Sequence, residues 1–181
     1  MQLQSGRGTN RLYRFNHQSK SLIFTLYYSF INLFVSASLG TWTSLKTGTY
    51  YFGTETITWY EGRDLCKSLD GHLVEIGSKE EQDTIATYLK TSRSLSSKSF
   101  WIGLNSLKKK GEWVWHNSEP AQYVNWYGGL PPPSRIPAKK TCVRIFKAKG
   151  GSFAFQWYND YCSTYRNPLC EKGARSNTYL A

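Results

Sequence analysis

Four cysteines, three histidines, an acid-free run of bases and a set of aromatic residues are the parts of this sequence able to do chemistry. Cys66, Cys142, Cys162 and Cys170 are even in number and none forms a C-x-x-C. The histidines stand apart at positions 17, 72 and 116, so the usual ligand pairs of a zinc site are missing and no metal is expected. Disulfides are the expected chemistry, and four cysteines allow three pairings that these residues alone leave open. His72, in an apolar step, is expected to pack, while His116 lies near a long loop as a candidate contact. No nucleophile elbow, phosphate-cradling glycine loop or recognisable pair of catalytic carboxylates occurs, so an enzyme is not expected.

Two sets of residues are candidates for binding. Arg135, Lys139, Lys140, Arg144, Lys147 and Lys149 have no acid among them and would suit a sulfated or phosphorylated glycan, the alternative being a solvated strand and loop edge. Arg144 and Val143 point to opposite faces of a strand, so part of this set can gather on one surface, and Lys139, Lys140 and Arg144 are expected outside the core. Tyr123, Trp126, Tyr127, Tyr158 and Tyr161 could stack on sugar faces or anchor a protein partner. Trp113, Trp115 and Trp157 are expected in the core. Nucleic acid would fit the charge, but no reader motif is present and none is expected as a partner.

The elements that position these residues are those of one domain within 181 residues. The net charge is +11, yet Arg7, Arg11, Arg14 and Lys20 fall in the first forty residues, where no acid occurs, leaving 19 bases against 12 acids beyond them. That segment has a basic head, an apolar body from Leu22 to Val35 and small residues at Ser36, Ala37, Ser38 and Gly40. Residues 1–40 are therefore expected to be a secretory signal peptide cut near Ala37 or Gly40, the alternative being an uncleaved signal anchor. Thr25, Ser29 and Asn32 argue against the anchor, and a membrane enters only through it. Either way the domain, expected over 41–173 with a flexible tail at 174–181, faces an oxidising compartment, and secretion is the expected localisation.

Within the domain, Tyr50 to Glu55 reads as a strand, and Thr58 with Glu61 as a capping box opening a helix with Trp59, Gly62, Leu65, Cys66 and Leu69 on one face. Asp70 and Gly71 end it. Ser78 with Glu81 reads as a second capping box, for a helix carrying Ile85, Tyr88 and Leu89. Short aromatic strands follow over 100–104, 112–116, 141–147, 153–157 and 169–172. Residues 117–140 are too long and irregular for a plain connection, and such loops are usually functional or disordered. Two helices followed by strands predict an α+β fold.

In that order, the residues resemble the C-type lectin-like family over about 50–172. Trp59 with Cys66 and Leu69 resembles its first helix, and Gly71 to Glu80 (GHLVEIGSKE) its passage into the second. Trp101 to Leu104 (WIGL) resembles its most recognisable core strand, Glu112 to Trp115 (EWVW) the strand after it, and Cys142, Trp157, Cys162 and Leu169 to Glu171 its closing elements. The resemblance implies two helices and short antiparallel strands with a long loop. It also implies two disulfides, Cys66 with Cys170 and Cys142 with Cys162. The function it implies is carbohydrate recognition, with a glycan or an extracellular protein as partner.

Sugar binding in that family runs through a calcium ion in the long loop, a hard cation needing six to eight oxygens. Its ligand places fall here on Leu130, Pro132, Lys140, Tyr158 and Asn159, and none is a carboxylate. The expectation is a binding module without the ordinary calcium site, hence no cofactor although calcium is the family's ion. Trp126, Tyr127, Lys139, Lys140, Arg144, Tyr158 and Asn159 are the candidate ligand-binding residues. The alternative is a calcium-independent module for a protein or an anionic surface.

Overall fold

The computed structural model describes residues 41–116, 119–129, 141–148 and 155–173. The signal peptide or anchor over 1–40 and the tail over 174–181 lie outside the described residues. Among the described residues, no helix is long and apolar enough to cross a membrane.

Helix α1 spans Trp59–Ser68 and begins where Thr58 predicts. The Thr58 Oγ1 accepts from the Glu61 N–H at 3.3 Å, and the Glu61 carboxylate accepts from the Thr58 N–H at 2.8 Å, so two otherwise unpaired donors are satisfied reciprocally. It stops because Asp70 takes a left-handed φ of 57°, and the Gly71 N–H closes back on the Cys66 carbonyl at 2.9 Å. Helix α2 spans Lys79–Thr91. Its expected capping box is only half formed. Ser78 Oγ accepts from the Glu81 N–H at 3.1 Å, but the Glu81 carboxylate takes the Gly77 N–H and the Tyr50 hydroxyl, both at 2.9 Å. Glu81 thus ties the start of α2 to strand β2 (Gly48–Phe52).

The other strands are β1 (Trp42–Leu45), β3 (His72–Leu73), β4 (Ser99–Asn105), β5 (Cys142–Lys147), β6 (Phe155–Asp160) and β7 (Asn167–Lys172). They form one sheet in the order β1-β2-β7-β4-β5-β6, with β3 also paired to β7. The expectation of antiparallel strands needs one correction: β4 and β7 run parallel, with Phe100 opposite Asn167 and Trp101 opposite Pro168. Residues 112–116 also depart from expectation. Instead of a strand they make isolated bridges, Val114 meeting both Asn105 and Pro120. β1 has no counterpart in the sequence-based assignment.

Alternation along β4 explains the core. Phe100, Ile102 and Leu104 enter one cluster with Ile85, Leu89, Val143, Ile145 and Trp157, while Trp101 points into a second with Trp59, Leu73 and all four cysteines. Each such fully buried side chain contributes about 1.5–3 kcal/mol relative to exposure. Two indole hydrogen bonds lock α1 onto β4: Trp59 Nε1 donates to the Ile102 carbonyl and Trp101 Nε1 to the Ile57 carbonyl, each at 2.9 Å. Gly103 must lack a side chain, since a Cβ there would stand 2.9 Å from the Leu73 carbonyl oxygen. The disulfides are Cys66–Cys170 and Cys142–Cys162, as the resemblance implies.

Candidate functional site

The outer face of β5 and β6 carries the exposed chemistry. Val143 and Ile145 point inward, so Arg144 and Phe146 share the other face, and Arg144 lies directly across from Tyr158. The Phe146 ring sits between two tyrosines, 5.7 Å from Tyr127 and 5.9 Å from Tyr158 by centroid, in edge-to-face contacts. Tyr127 is 47% exposed and Tyr158 is 37% exposed, so the three rings form a ladder with two outer members open to solvent. Tyr161 follows at the end of β6, also exposed. Such a surface suits the flat apolar face of a sugar or an apolar residue of a protein.

Arg144 does not stand free in solvent, contrary to the expectation that it lies outside the core. Its side chain is only 17% exposed. Its Nε donates to Asp160 Oδ2 at 3.0 Å and its Nη1 to Ser99 Oγ at 2.9 Å, while its guanidinium covers the Phe146 ring at 4.5 Å. Burial, and then the neighbouring Arg166 cation, push the Arg144 pKa down, and the Asp160 carboxylate opposes both. Asp160 also accepts from Arg166 Nη2 at 2.8 Å and, through Oδ1, from the Tyr161 N–H at 2.9 Å. One carboxylate thus serves two guanidinium groups.

Trp126, a candidate contact, is buried at 3% exposure. It bridges to Trp157 and packs with its ring 5.0 Å from Trp113 and 5.9 Å from Trp157. Its neighbour Tyr127 takes the exposed place. Asn159 is likewise buried, opposite Val143. Trp115 and Trp157 are in the core as expected, while Trp113 is only partly buried. Tyr123 is also partly buried, its ring 5.9 Å from Trp157. Lys147 is exposed, whereas Arg135, Lys139, Lys140 and Lys149 lie outside the described residues.

Of the calcium ligand places, Tyr158 and Asn159 are described, and they offer an exposed phenol and a buried amide. The carboxylate beside them, Asp160, is held by Arg144 and Arg166. The two described places thus offer a calcium ion no carboxylate oxygen.

Phe146, Arg166 and Gln82 were not singled out from sequence. Gln82 is buried, donating to the Phe155 carbonyl and accepting from Trp157 Nε1, each at 2.8 Å, and so supports β6 from behind. Only Phe146 had a usable signal, its i, i+2 spacing from Arg144. His72 and His116 are not unrelated as their separation suggested, for their rings stack with centroids 4.6 Å apart.

Residues 55–172 match the family described as "Lectin C-type domain". The low affinity immunoglobulin epsilon Fc receptor of Mus musculus is 32% identical over 132 residues, covering 72% of this chain but only 36% of the receptor. The chain therefore spans about a third of that relative. Among solved structures, the mouse scavenger receptor C-type lectin carbohydrate-recognition domain superposes with a TM-score of 0.61 at 29% identity, covering 74% of this chain and 96% of that one. A calcium-independent type II antifreeze protein gives a TM-score of 0.60 at 25% identity, covering 74% and 92%. A family match running through both helices and strands β3 to β7, supported by the same fold at close to thirty percent identity, means that this chain belongs to the C-type lectin domain family, which consists of binding modules rather than enzymes.

Proposed function

We propose that this chain is a secreted carbohydrate-recognition-type domain that holds its ligand without a calcium ion in the long loop. The observation that carries this reading is Asp160. It is the carboxylate nearest the described ligand places, and it is spent on Arg144 and Arg166 rather than turned outward. A fold neighbour described as calcium-independent supports the view that the scaffold functions without the ion. Secretion is supported by the basic and apolar character of residues 1–40 and by two disulfides, which persist in oxidising compartments.

A ligand stabilises a fold in proportion to its binding to the native state. Calcium at about 10 mM, above the Kd of about 0.1–1 mM of extracellular calcium modules, is therefore expected to leave the melting temperature unchanged within about 1 °C. Differential scanning fluorimetry with calcium and with chelator checks this. A rise of several degrees overturns the calcium-free reading.

The ligand contacts are assigned to Tyr127 and Tyr158, with Phe146 between them, and Lys139 and Lys140 bias the choice toward sulfated sugars. A glycan array that includes sulfated sugars, run with calcium and again with chelator, is the direct test. Binding is expected to survive chelator, and the double substitution Tyr127→Ala with Tyr158→Ala is expected to weaken it at least tenfold. That corresponds to about 1.4 kcal/mol, within the range for losing ring contacts at an interface. Both rings are exposed, so the melting temperature should move little. An unchanged affinity in the double variant rules out the ladder as the contact surface. Silence on every glycan, with tight binding to a protein or an anionic vesicle, favours the calcium-independent protein- or surface-binding module, which the exposed aromatic residues also suit.

A further inference from the structure

We infer that His72, Glu75 and His116 form a site for a zinc-class divalent ion, built on a part of the molecule that the proposed ligand surface does not use. The ligand atoms of these three side chains all lie within 4.8 Å of one another. Two imidazoles and a carboxylate are the donor set of three-ligand zinc sites, in which water or an incoming ligand takes the fourth place.

The fold brings together residues 44 positions apart in the chain. His72 is held in β3 by its pairing with Glu171 of β7. Glu75 lies just beyond β3, and its backbone N–H donates to Glu171 Oε1 at 2.9 Å. His116 follows Val114, whose N–H and carbonyl both pair with Asn105 at the end of β4, each at 2.9 Å. The backbone that presents the three donors is thus fixed on both sides.

The side chains lie close enough that a small movement would turn their donors on one ion, the two imidazole rings being stacked with centroids 4.6 Å apart. His72 Nδ1 lies 3.0 Å from the Leu73 carbonyl and 3.6 Å from Glu171 Oε1. A proton on Nδ1 directed at those oxygens leaves the Nε2 lone pair for the ion, with Glu171 as the outer carboxylate that commonly orients a ligating histidine. Glu75 is 4% exposed, so its carboxylate sits in a low-dielectric place where a cation is favoured. His116 Nδ1 stands 2.6 Å from Glu75 Oε1. Across a tetrahedral ion with bonds of about 2.05 Å the two donors would be about 3.3 Å apart. The His116 side chain is 31% exposed and can swing by that small amount to admit the ion.

The test is calorimetric titration of the secreted, disulfide-bonded chain with zinc chloride in a non-coordinating buffer near pH 7. Three proteins are compared: the parent, His116→Asn and His72→Asn. The expected result is one ion per chain, weakened at least tenfold in His116→Asn. Even loss of an outer-shell partner typically costs that much. Calcium in hundredfold excess should not displace the zinc, because nitrogen donors disfavour a hard cation. His116 is at an exposed edge, so its variant keeps the test decisive even where His72→Asn fails to fold. Absence of saturable 1:1 binding, equal affinity in parent and His116→Asn, or displacement by calcium overturns the site.

Discussion

Replacing both members of the Cys66–Cys170 disulfide by Ala is expected to cost about 5 kcal/mol of stability, against about 3 kcal/mol for the Cys142–Cys162 pair. The difference follows from loop closure in the unfolded chain, where the bridges close 104 and 20 residues respectively. Cys66 and Cys170 are also fully buried, with Trp59, Leu73 and Trp101 around them, so truncation adds a packing loss. For a domain of ordinary stability, about 5–15 kcal/mol, the first variant loses much or all of its margin. Urea titration of the oxidised parent and both double variants gives the comparison. A smaller loss for the 66–170 pair than for the 142–162 pair contradicts the chain-entropy account.

Asp160→Asn is expected to lower the melting temperature by about 10 °C. The substitution keeps the shape and removes the charge, leaving Arg144 and Arg166 facing each other with no anion between them. Breaking a buried ion pair by removing one partner costs about 3–5 kcal/mol, and the lower end applies because the Arg166 side chain is 30% exposed and water can reach it. For a chain of this size each kilocalorie per mole moves the midpoint by about 3 °C. The added substitution Arg144→Met should cost less than the sum of the two single changes, since it removes the stranded charge. Thermal melts followed by circular dichroism read all four proteins. A drop below about 3 °C for Asp160→Asn, or strict additivity in the double variant, shows that the network contributes little. By the same reasoning, a variant lacking Lys139, Lys140 and Arg144 together loses stability as well as charge, because Arg144 is a structural cation.

The legible parts of this chain were those governed by neighbours in sequence. The capping residues Thr58 and Glu61 name the start of α1 because both partners lie within four residues. The inward and outward alternation of β5 is a property of the strand itself. The disulfide pairing came from the ordered resemblance of many short pieces, since four cysteines alone leave three pairings.

What residues across the sheet and in the loops did with one another was not legible. Trp126 and Tyr127 are adjacent and both aromatic, yet one is buried and the other exposed, because the bridge from Trp126 to Trp157 decides which of them turns inward. Asp160 could have been an outward ligand, but Arg144 on the neighbouring strand and Arg166 beyond the next turn reach it first. His72 and His116 looked isolated until the pairing of β3 with β7 and the bridge between Asn105 and Val114 stacked their rings. Sequence by itself determined the helix starts, the strand faces and the family likeness, since each rests on local hydrogen bonding, on periodicity or on ordered short motifs. The tertiary structure alone decided which charges neutralise each other, which rings meet solvent and which histidines share a site. Those outcomes depend on competition among partners far apart in the chain, and the lowest free energy goes to the arrangement that buries the most apolar surface while leaving no charge unmatched.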